Sequence, residues 1–314
     1  MRFELSQDQV DFQSALRSQL SDFDLASVNR RWAGGDHCAG REVWTALAEL
    51  GVNGLMVPQR LGGAEASAAE LVVAFETIGW AVLPGPWIET VAALPGLVED
   101  PVAERLAAGE MATLAAPPHT PLALDADVAT HRFVLTEEGL ATGLPAGESV
   151  ASVDPTRRLF DLEASGPAHL VEAASSLDLA TLACAAELLG CAERVLADSV
   201  AYVKQRRQFG REIGSYQAIK HQLADCRIAV DFARPLVWGA ALDPTPQAVS
   251  AAKVGAAEAA YRTARTALQV HGAIGYTAEF DLSLWLTRVR ALVGAWGTPT
   301  VHRRRVLESL GAPC

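Results

Sequence analysis

Cysteine, methionine and aromatic residues are all scarce in this chain: five Cys, three Met and 6% Phe, Trp and Tyr in 314 residues. Five is an odd number, and no CxxC or Cys/His cluster occurs. Cys184 and Cys191 stand seven apart on a predicted helix, roughly 10 Å by helical rise, which is too far for a disulfide. A disulfide scaffold and a Cys/His metal site are excluded, and buried free thiols in a reducing cytoplasm are expected. Basic residues are the minority, 26 against 37 acids, for a formal charge of −11. That balance excludes nucleic acid and an anionic membrane as partners, because both demand dense Lys and Arg. Long apolar runs are missing too. The most apolar stretch, Leu177 to Leu196, is interrupted by Glu187, Glu193 and Arg194, so nothing reads as a membrane span. Arg2, Glu4, Asp8 and Asp11 stand where an apolar leader would be, which adds to the expectation of a cytoplasmic protein.

What is present is a helix-forming composition. Half the residues are hydrophobic, enough for a sizeable core, and Ala and Leu dominate them. Over residues 1–108 the pattern predicts a helical domain. Ser6-Gln7-Asp8-Gln9 and Ser67-Ala68-Ala69-Glu70 are capping boxes, each opening a helix. Gly51 stops one helix, another is expected to end near Gly79, and Pro84-Gly85-Pro86 breaks the chain before an apolar segment ending at Val98. Residues 109–172 read as a small β unit, with prolines punctuating strand-like runs such as Arg132–Leu135 and Arg158–Leu162. Residues 173–314 return to helical periods. Ile219, Leu223, Cys226, Val230, Ala233 and Val237 form one predicted seam; Val254, Ala257, Tyr261, Ala264 and Leu268 form a second. Pro235 predicts a kink near the end of the first. Thr245-Pro246 and Thr298-Pro299 each offer a cap followed by a proline at the first helical position.

Three segments carry chemistry: Arg206-Arg207-Gln208-Phe209-Gly210, Gln269-Val270-His271-Gly272-Ala273-Ile274-Gly275, and Ala295-Trp296-Gly297-Thr298. Arg206 and Phe209 are three apart, so on a helix end they share a face. Such a face offers a guanidinium to phosphate oxygens and a ring to a base. Gly272 and Gly275 let a backbone come close to a ligand, and the helix after Thr298 has an N-terminus suited to an anion. A solvated basic helix with glycine stops is the plain alternative. Arg303-Arg304-Arg305 reads as a solvated helix face, Asp178 as a cap, and Glu187 as a structural or interfacial residue. His271 reads as a packing residue rather than a base. Seven scattered His show no triad, and no P-loop occurs.

In order and spacing these segments resemble the C-terminal domain of the acyl-CoA dehydrogenases, flavoproteins that remove two hydrogens from the α and β carbons of an acyl thioester. Ala48-Glu49-Leu50-Gly51, Val57-Pro58 and Gly62-Gly63 are similar to the family's first domain. The resemblance implies a mainly α fold with a small β unit: an N-terminal helical domain, a reduced middle β domain and a C-terminal four-helix bundle. It implies FAD as cofactor, with Arg206, Phe209, Gln217, Gln269, Gly272 and Thr298 as its contacts. In the family the Arg, the Phe and the two Gln reach across a dimer interface into the neighbouring subunit's flavin.

The departures from the family pattern are as informative. Where the commonest members read Tyr-Glu-Gly-Thr, with the glutamate as catalytic base, this chain reads Ala-Trp-Gly-Thr, so Trp296 holds the base position. Other members place the glutamate after a Leu-Asp-Leu sequence, and here Leu177-Asp178-Leu179 is followed by Ala180. The family's Thr-Glu-Pro segment is represented by Leu114-Ala115-Ala116-Pro117-Pro118-His119-Thr120, and no tryptophan lies between Trp87 and Trp238. The resemblance is therefore to the short, base-lacking subunit of heteromeric α2β2 enzymes of actinobacterial steroid degradation. It implies a full-length acyl-CoA dehydrogenase subunit as partner and an acyl-CoA as substrate. A self-sufficient homo-oligomeric flavoenzyme with another base, and a non-enzymatic scaffold, stay open at this stage.

Overall fold

The computed structural model describes residues 4–277 and 280–311; Arg2 of the readings above lies outside them. The N-terminal layer comprises α1 (Gln7–Leu20), α2 (Leu25–Ala33), α3 (Cys38–Glu49), α4 (Ala68–Ala81) and α5 (Asp100–Ala107). Both predicted capping boxes form. Ser6 Oγ accepts from the Gln9 N–H and Gln9 returns to the Ser6 N–H; Ser67 and Glu70 exchange in the same way. Gly51 ends α3 in the left-handed region, φ 83°. The helix read as ending near Gly79 ends at Ala81. Apolar nearly all round, α4 is buried on almost every face. Gly79 lets α4 touch a bundle helix. A Cβ there would stand 2.0 Å from the Glu187 carbonyl, and one on Gly190 would stand 2.0 Å from that of Glu76. After Pro84-Gly85-Pro86 the chain makes a π-helical turn, Ile88–Ala93.

The β unit holds β1 (Ala112–Ala115), β2 (Ala123–Leu124), β3 (His131–Thr136), β4 (Gly139–Pro145), β5 (Leu159–Phe160) and β6 (Leu162–His169). Its four-stranded sheet has the order β1-β3-β4-β6, parallel between β1 and β3 and antiparallel elsewhere; β2 and β5 pair separately. Strand alternation splits β1 between two cores. Ala112 and Leu114 join the helical core, while Ala115 joins a small cluster with Ala123, Ala126, Val134, Phe160 and Leu162.

The C-terminal bundle is α6 (Ala174–Gln205), a short hairpin of β7 (Arg207–Gln208) and β8 (Arg211–Glu212), α7 (Gln217–Leu242), α8 (Pro246–His271), α9 (Leu282–Gly294) and α10 (Pro299–Ser309). The predicted α7 seam is buried from Leu223 to Val237. The α8 seam is shifted. Its buried face is built on Ala252, Ala256, Ala260, Ala264 and Ala267, and Tyr261 turns outward at 41% exposure. Small side chains let α8 lie close to α6, and a tyrosine on that face would hold the helices apart. Cys184, Cys191 and Cys226 are buried free thiols as read; Cys38 is exposed. Among the described residues no helix is long and apolar enough to cross a membrane.

One buried side chain ties the three layers together. From α9, Arg288 donates to Asp154 Oδ2 at 2.6 Å and Thr156 Oγ1 at 2.9 Å in the β unit. It also donates to Glu187 Oε1 on α6 at 2.9 Å and to the Leu83 carbonyl at 2.8 Å. Burial works against the Asp154 charge, yet Arg288 holds that carboxyl below its ordinary range. Glu187 is thus structural, fixed by an ion pair at the junction of the layers.

Candidate functional site

The base-position loop is clamped on every side. Lys253 of α8 is fully buried; its Nζ donates to the Leu292 and Val293 carbonyls at 2.8 and 3.3 Å. These are last-turn acceptors of α9 that the helix itself leaves open. Burial lowers the Lys253 pKa. Three residues beyond Val293, the Trp296 N–H donates to Thr120 Oγ1 at 3.2 Å, and His302 Nε2 donates to the Trp296 carbonyl at 2.8 Å. The other His302 nitrogen meets Ser250 Oγ at 3.2 Å, and burial lowers the His302 pKa. Trp296 is 4% exposed and sits at φ 55°, a left-handed conformation that is strained for a bulky residue and persists only where its surroundings over-determine it. Gly297 follows at φ 95°, and a Cβ on it would come 2.6 Å from His302 Nε2. Thr298 then caps α10 through its Oγ1 and the Val301 N–H.

The resemblance points to two positions for a catalytic glutamate. Trp296 fills one, and Ala180 is fully buried within α6. Asp178 is not a helix cap: it pairs with Arg305 of α10, one contact at 2.9 Å. Arg303 pairs with Glu258 of α8. Two of the three consecutive arginines are therefore engaged, from a helix face that stays largely solvated: Arg303 and Arg304 are exposed and Arg305 is half-buried. The segment standing in for Thr-Glu-Pro folds on itself. Ala116 and Thr120 exchange backbone hydrogen bonds at 2.6 and 3.0 Å, and Thr120 then accepts from Trp296.

The cofactor-type residues gather at one end of the bundle, in a geometry unlike the one predicted. Helix α6 stops at Gln205, and Arg206 is already extended at φ −72°, ψ 121°. Arg206 and Phe209 therefore do not share a helix face. Phe209 and Gly210 form the two-residue turn of the β7–β8 hairpin, at φ 52° and 82°, as hairpin twist favours. Phe209 is 90% exposed at the tip. Arg211 stacks its guanidinium 3.9 Å from the Tyr216 ring centre, and Gln217 opens α7 on the surface. His271 joins this hairpin end to the end of α8. Its ring stacks on Tyr202 at 4.2 Å and its Nδ1 meets the Ala267 carbonyl at 2.8 Å. Burial lowers its pKa, in keeping with the packing role read from sequence. Gln269 is exposed beside it, and Gly272 ends α8 at φ 65° with open space where a Cβ would stand.

Thr298 does not belong to this group. The Trp296–Thr298 loop is held at Ser250, near the start of α8, and Gln269 is near its end. Nineteen residues of helix, roughly 28 Å, separate the two anchor points. The residues that suit a nucleotide (Arg206, Phe209, Gln217, Gln269) are displayed outward, as a surface contact to a ligand held elsewhere requires. Lys253, Ser250, His302 and Arg288 were all missed from sequence, although a lone lysine among the alanines of α8 was a visible signal.

This fold and these segments define an acyl-CoA dehydrogenase architecture, and the chain belongs to the acyl-CoA dehydrogenase family. The family's N-terminal domain pattern matches residues 6–113 and its C-terminal domain pattern residues 171–311. Over 275 residues the chain is 34% identical to the acyl-CoA dehydrogenase IpdE2 of Mycobacterium tuberculosis, covering 85% of this chain and 86% of that protein. In fold it matches a chain of the ChsE4-ChsE5 complex from Mycobacterium tuberculosis with a TM-score of 0.83 and 23% identity, covering both chains completely. A chain of the Tcur3481-Tcur3483 steroid acyl-CoA dehydrogenase matches with a TM-score of 0.82 and 23% identity, over 97% of this chain and 98% of that one.

Proposed function

We propose that this chain is the base-lacking subunit of a heteromeric, FAD-dependent acyl-CoA dehydrogenase. It works beside a full-length subunit in a cytoplasmic α2β2 assembly and acts on an acyl-CoA whose acyl part is steroid-derived. The observation that carries the reading is the contrast between the two ends of α8. At one end Trp296 stands in the base position, closed over by Thr120 and His302. At the other, Arg206, Phe209, Gln217 and Gln269 remain, turned outward.

When bound, FAD would supply the acceptor for the hydride lost from the β carbon, as the electron pair of the α C–H bond becomes the new Cα=Cβ bond. The step also needs a base at the α carbon, and neither Trp296 nor Ala180 can take a proton there. This chain's share is binding. Arg206 gives a charge-assisted contact to phosphate, Phe209 a ring for the adenine, and Gln217 and Gln269 give amide contacts. The bare backbone at Gly272 leaves room for a pyrophosphate. Thr298 and the α10 N-terminus are suited to a second phosphate contact at the far end. Support for the heteromer comes from fold relatives that are chains of two-protein complexes, one of them a steroid enzyme.

The test is to purify the chain alone and together with its full-length partner, then measure mass, flavin content and acyl-CoA-dependent dye reduction. The lone chain is expected to hold little FAD and turn over negligibly. Stoichiometric FAD in the lone chain, with turnover near the roughly 1–10³ s⁻¹ usual for enzymes, defeats the proposal.

A further inference from the structure

A cavity of about 420 Å³ opens between the N-terminal layer and the bundle, lined by α1, α2, α4, α6 and α9 with their adjoining loops. Its size falls in the range of small-molecule sites, roughly 300–1,000 Å³. Two indoles build its frame. Trp285 of α9 donates its Nε1 hydrogen to the Gly79 and Trp80 carbonyls at 3.2 and 3.1 Å, which fixes it beside Trp80 of α4. The Arg194 guanidinium of α6 lies 5.6 Å from the Trp80 ring centre and 4.6 Å from that of Trp285. The Arg17 guanidinium of α1 lies 5.7 Å from the Trp80 centre. Leu20, Phe23, Leu25 and Ala81 complete the wall with hydrocarbon.

The charges of the cavity are unequally answered. Asp24 caps α2 through the Ser27 N–H at 3.1 Å, and Asp281 pairs with Arg30. The cations are not spent in this way. Arg194 gives its Nε hydrogen to Asp198 at 2.8 Å, and no acceptor among the described residues takes its terminal N–H groups or those of the Arg17 guanidinium. A guanidinium stacked on an indole has its face covered and its edge free, and that edge matches the two oxygens of a carboxylate. Because Asp198 already answers part of the Arg194 charge, a singly charged carboxylate suits the pair better than a phosphate dianion. An anion without hydrocarbon would leave the apolar wall in water.

We infer that this cavity binds a carboxylate carried on an apolar body, with Arg194 and Arg17 on the oxygens and Leu20, Phe23 and Leu25 along the hydrocarbon. The inference goes beyond the flavin reading and does not rest on it. None of these residues is a proposed flavin contact, and Arg194 stands fourteen residues along α6 from Ala180, roughly 21 Å by helical rise.

Isothermal titration calorimetry of the full chain, purified alone, with sodium decanoate tests it. One decanoate per chain is expected, with 1-decanol and sodium acetate each about ten-fold weaker or more, because each lacks half of the recognition. Arg194→Gln and Arg17→Gln should each weaken decanoate by about ten-fold or more, as loss of a charge-assisted contact does. Both should keep the wild-type circular dichroism spectrum. Arg17 is exposed on α1, so its variant decides the matter even if Arg194→Gln folds poorly. Absence of a saturable site overturns the inference. So does acetate or decanol binding as tightly as decanoate, which would leave a bare anion site or a plain apolar groove. Decanoate affinity unchanged in Arg17→Gln, or in a folded Arg194→Gln, places the acid elsewhere and overturns it as well.

Discussion

Thr120 and Trp296, 176 residues apart, are joined by a hydrogen bond from the Trp296 N–H to the threonine hydroxyl at 3.2 Å. The bond draws the β unit over the loop that in most relatives carries a catalytic carboxylate. It joins Trp296 to the Leu114–Thr120 segment, the two places where the sequence was read as departing from the family pattern, in one local structure.

Trp296→Glu should therefore not create a dehydrogenase from the lone chain, because under the proposed reading the flavin is held mainly by the partner subunit. In the assembled enzyme the same change should leave turnover set by the partner's glutamate, with some loss from a buried unpaired carboxylate. Removing the partner's glutamate should cut turnover by several orders of magnitude, general-base catalysis alone contributing about 10²–10⁴-fold. Dye-reduction assays decide the matter. Rescue of a base-less partner by Trp296→Glu would mean that this chain owns a competent flavin site.

Arg206→Ala should lower flavin occupancy of the complex while leaving it assembled. The exposed guanidinium contributes little to the fold, whereas a charge-assisted phosphate contact is worth about 1.5–3 kcal/mol, or roughly ten- to a hundredfold in affinity. Flavin absorbance after gel filtration measures it, and an unchanged content and affinity would remove Arg206 from the binding face.

Arg288→Met should destabilise the chain strongly. It leaves Asp154 and Glu187 buried without their cation, a loss of about 3–5 kcal/mol by comparison with other broken buried pairs. Urea unfolding of the variant should show a lower midpoint, and a shift smaller than about 1 kcal/mol would mean that the network is dispensable.

Two buried carboxyls give the fold a pH dependence. Burial pushes Glu89 up to about 7, and likewise Asp125, against the pull of Arg157 and Arg158. Glu89 Oε2 has no partner among the described residues. Both groups prefer to stay protonated in the fold but ionise near their ordinary range when unfolded. Their stabilisation is full below that range and is lost as pH rises through about 7, at about 1.4 kcal/mol per pKa unit. Glu89→Gln should flatten the fall in stability between mildly acidic and neutral pH. An identical slope in wild type and variant counts against the buried acid.

Much of this was legible in the sequence because it is local. Ser6, Ser67, Thr245 and Thr298 announce their helices through side chains that reach only three residues along. The outline of helices, small β unit and bundle followed from periodicity and prolines. What was not legible depends on distance or on competing local geometry. Arg288 finds Asp154 and Glu187 across more than a hundred residues, and Lys253 finds the end of α9 across 39. The helix expected through Phe209 failed because Gly210 permits a tight hairpin there. The α8 seam slipped because alanine, weakly apolar by count, is the residue that permits close helix contact. Of the candidate site, the nucleotide-type residues were found by their pattern. The clamp around Trp296 was not, since its parts are scattered over four elements.

The spacing along α8 has a consequence for counting. A rigid rod of about 28 Å keeps Gln269 and the Trp296 loop from ever serving one compact ligand head. Under the proposed reading each copy lends its Gln269 end to a flavin lodged in its neighbour and, with Trp296 in the base position, holds no flavin ring of its own. Titrating the assembled enzyme for bound flavin then enumerates its full-length subunits alone, one cofactor for every two polypeptides.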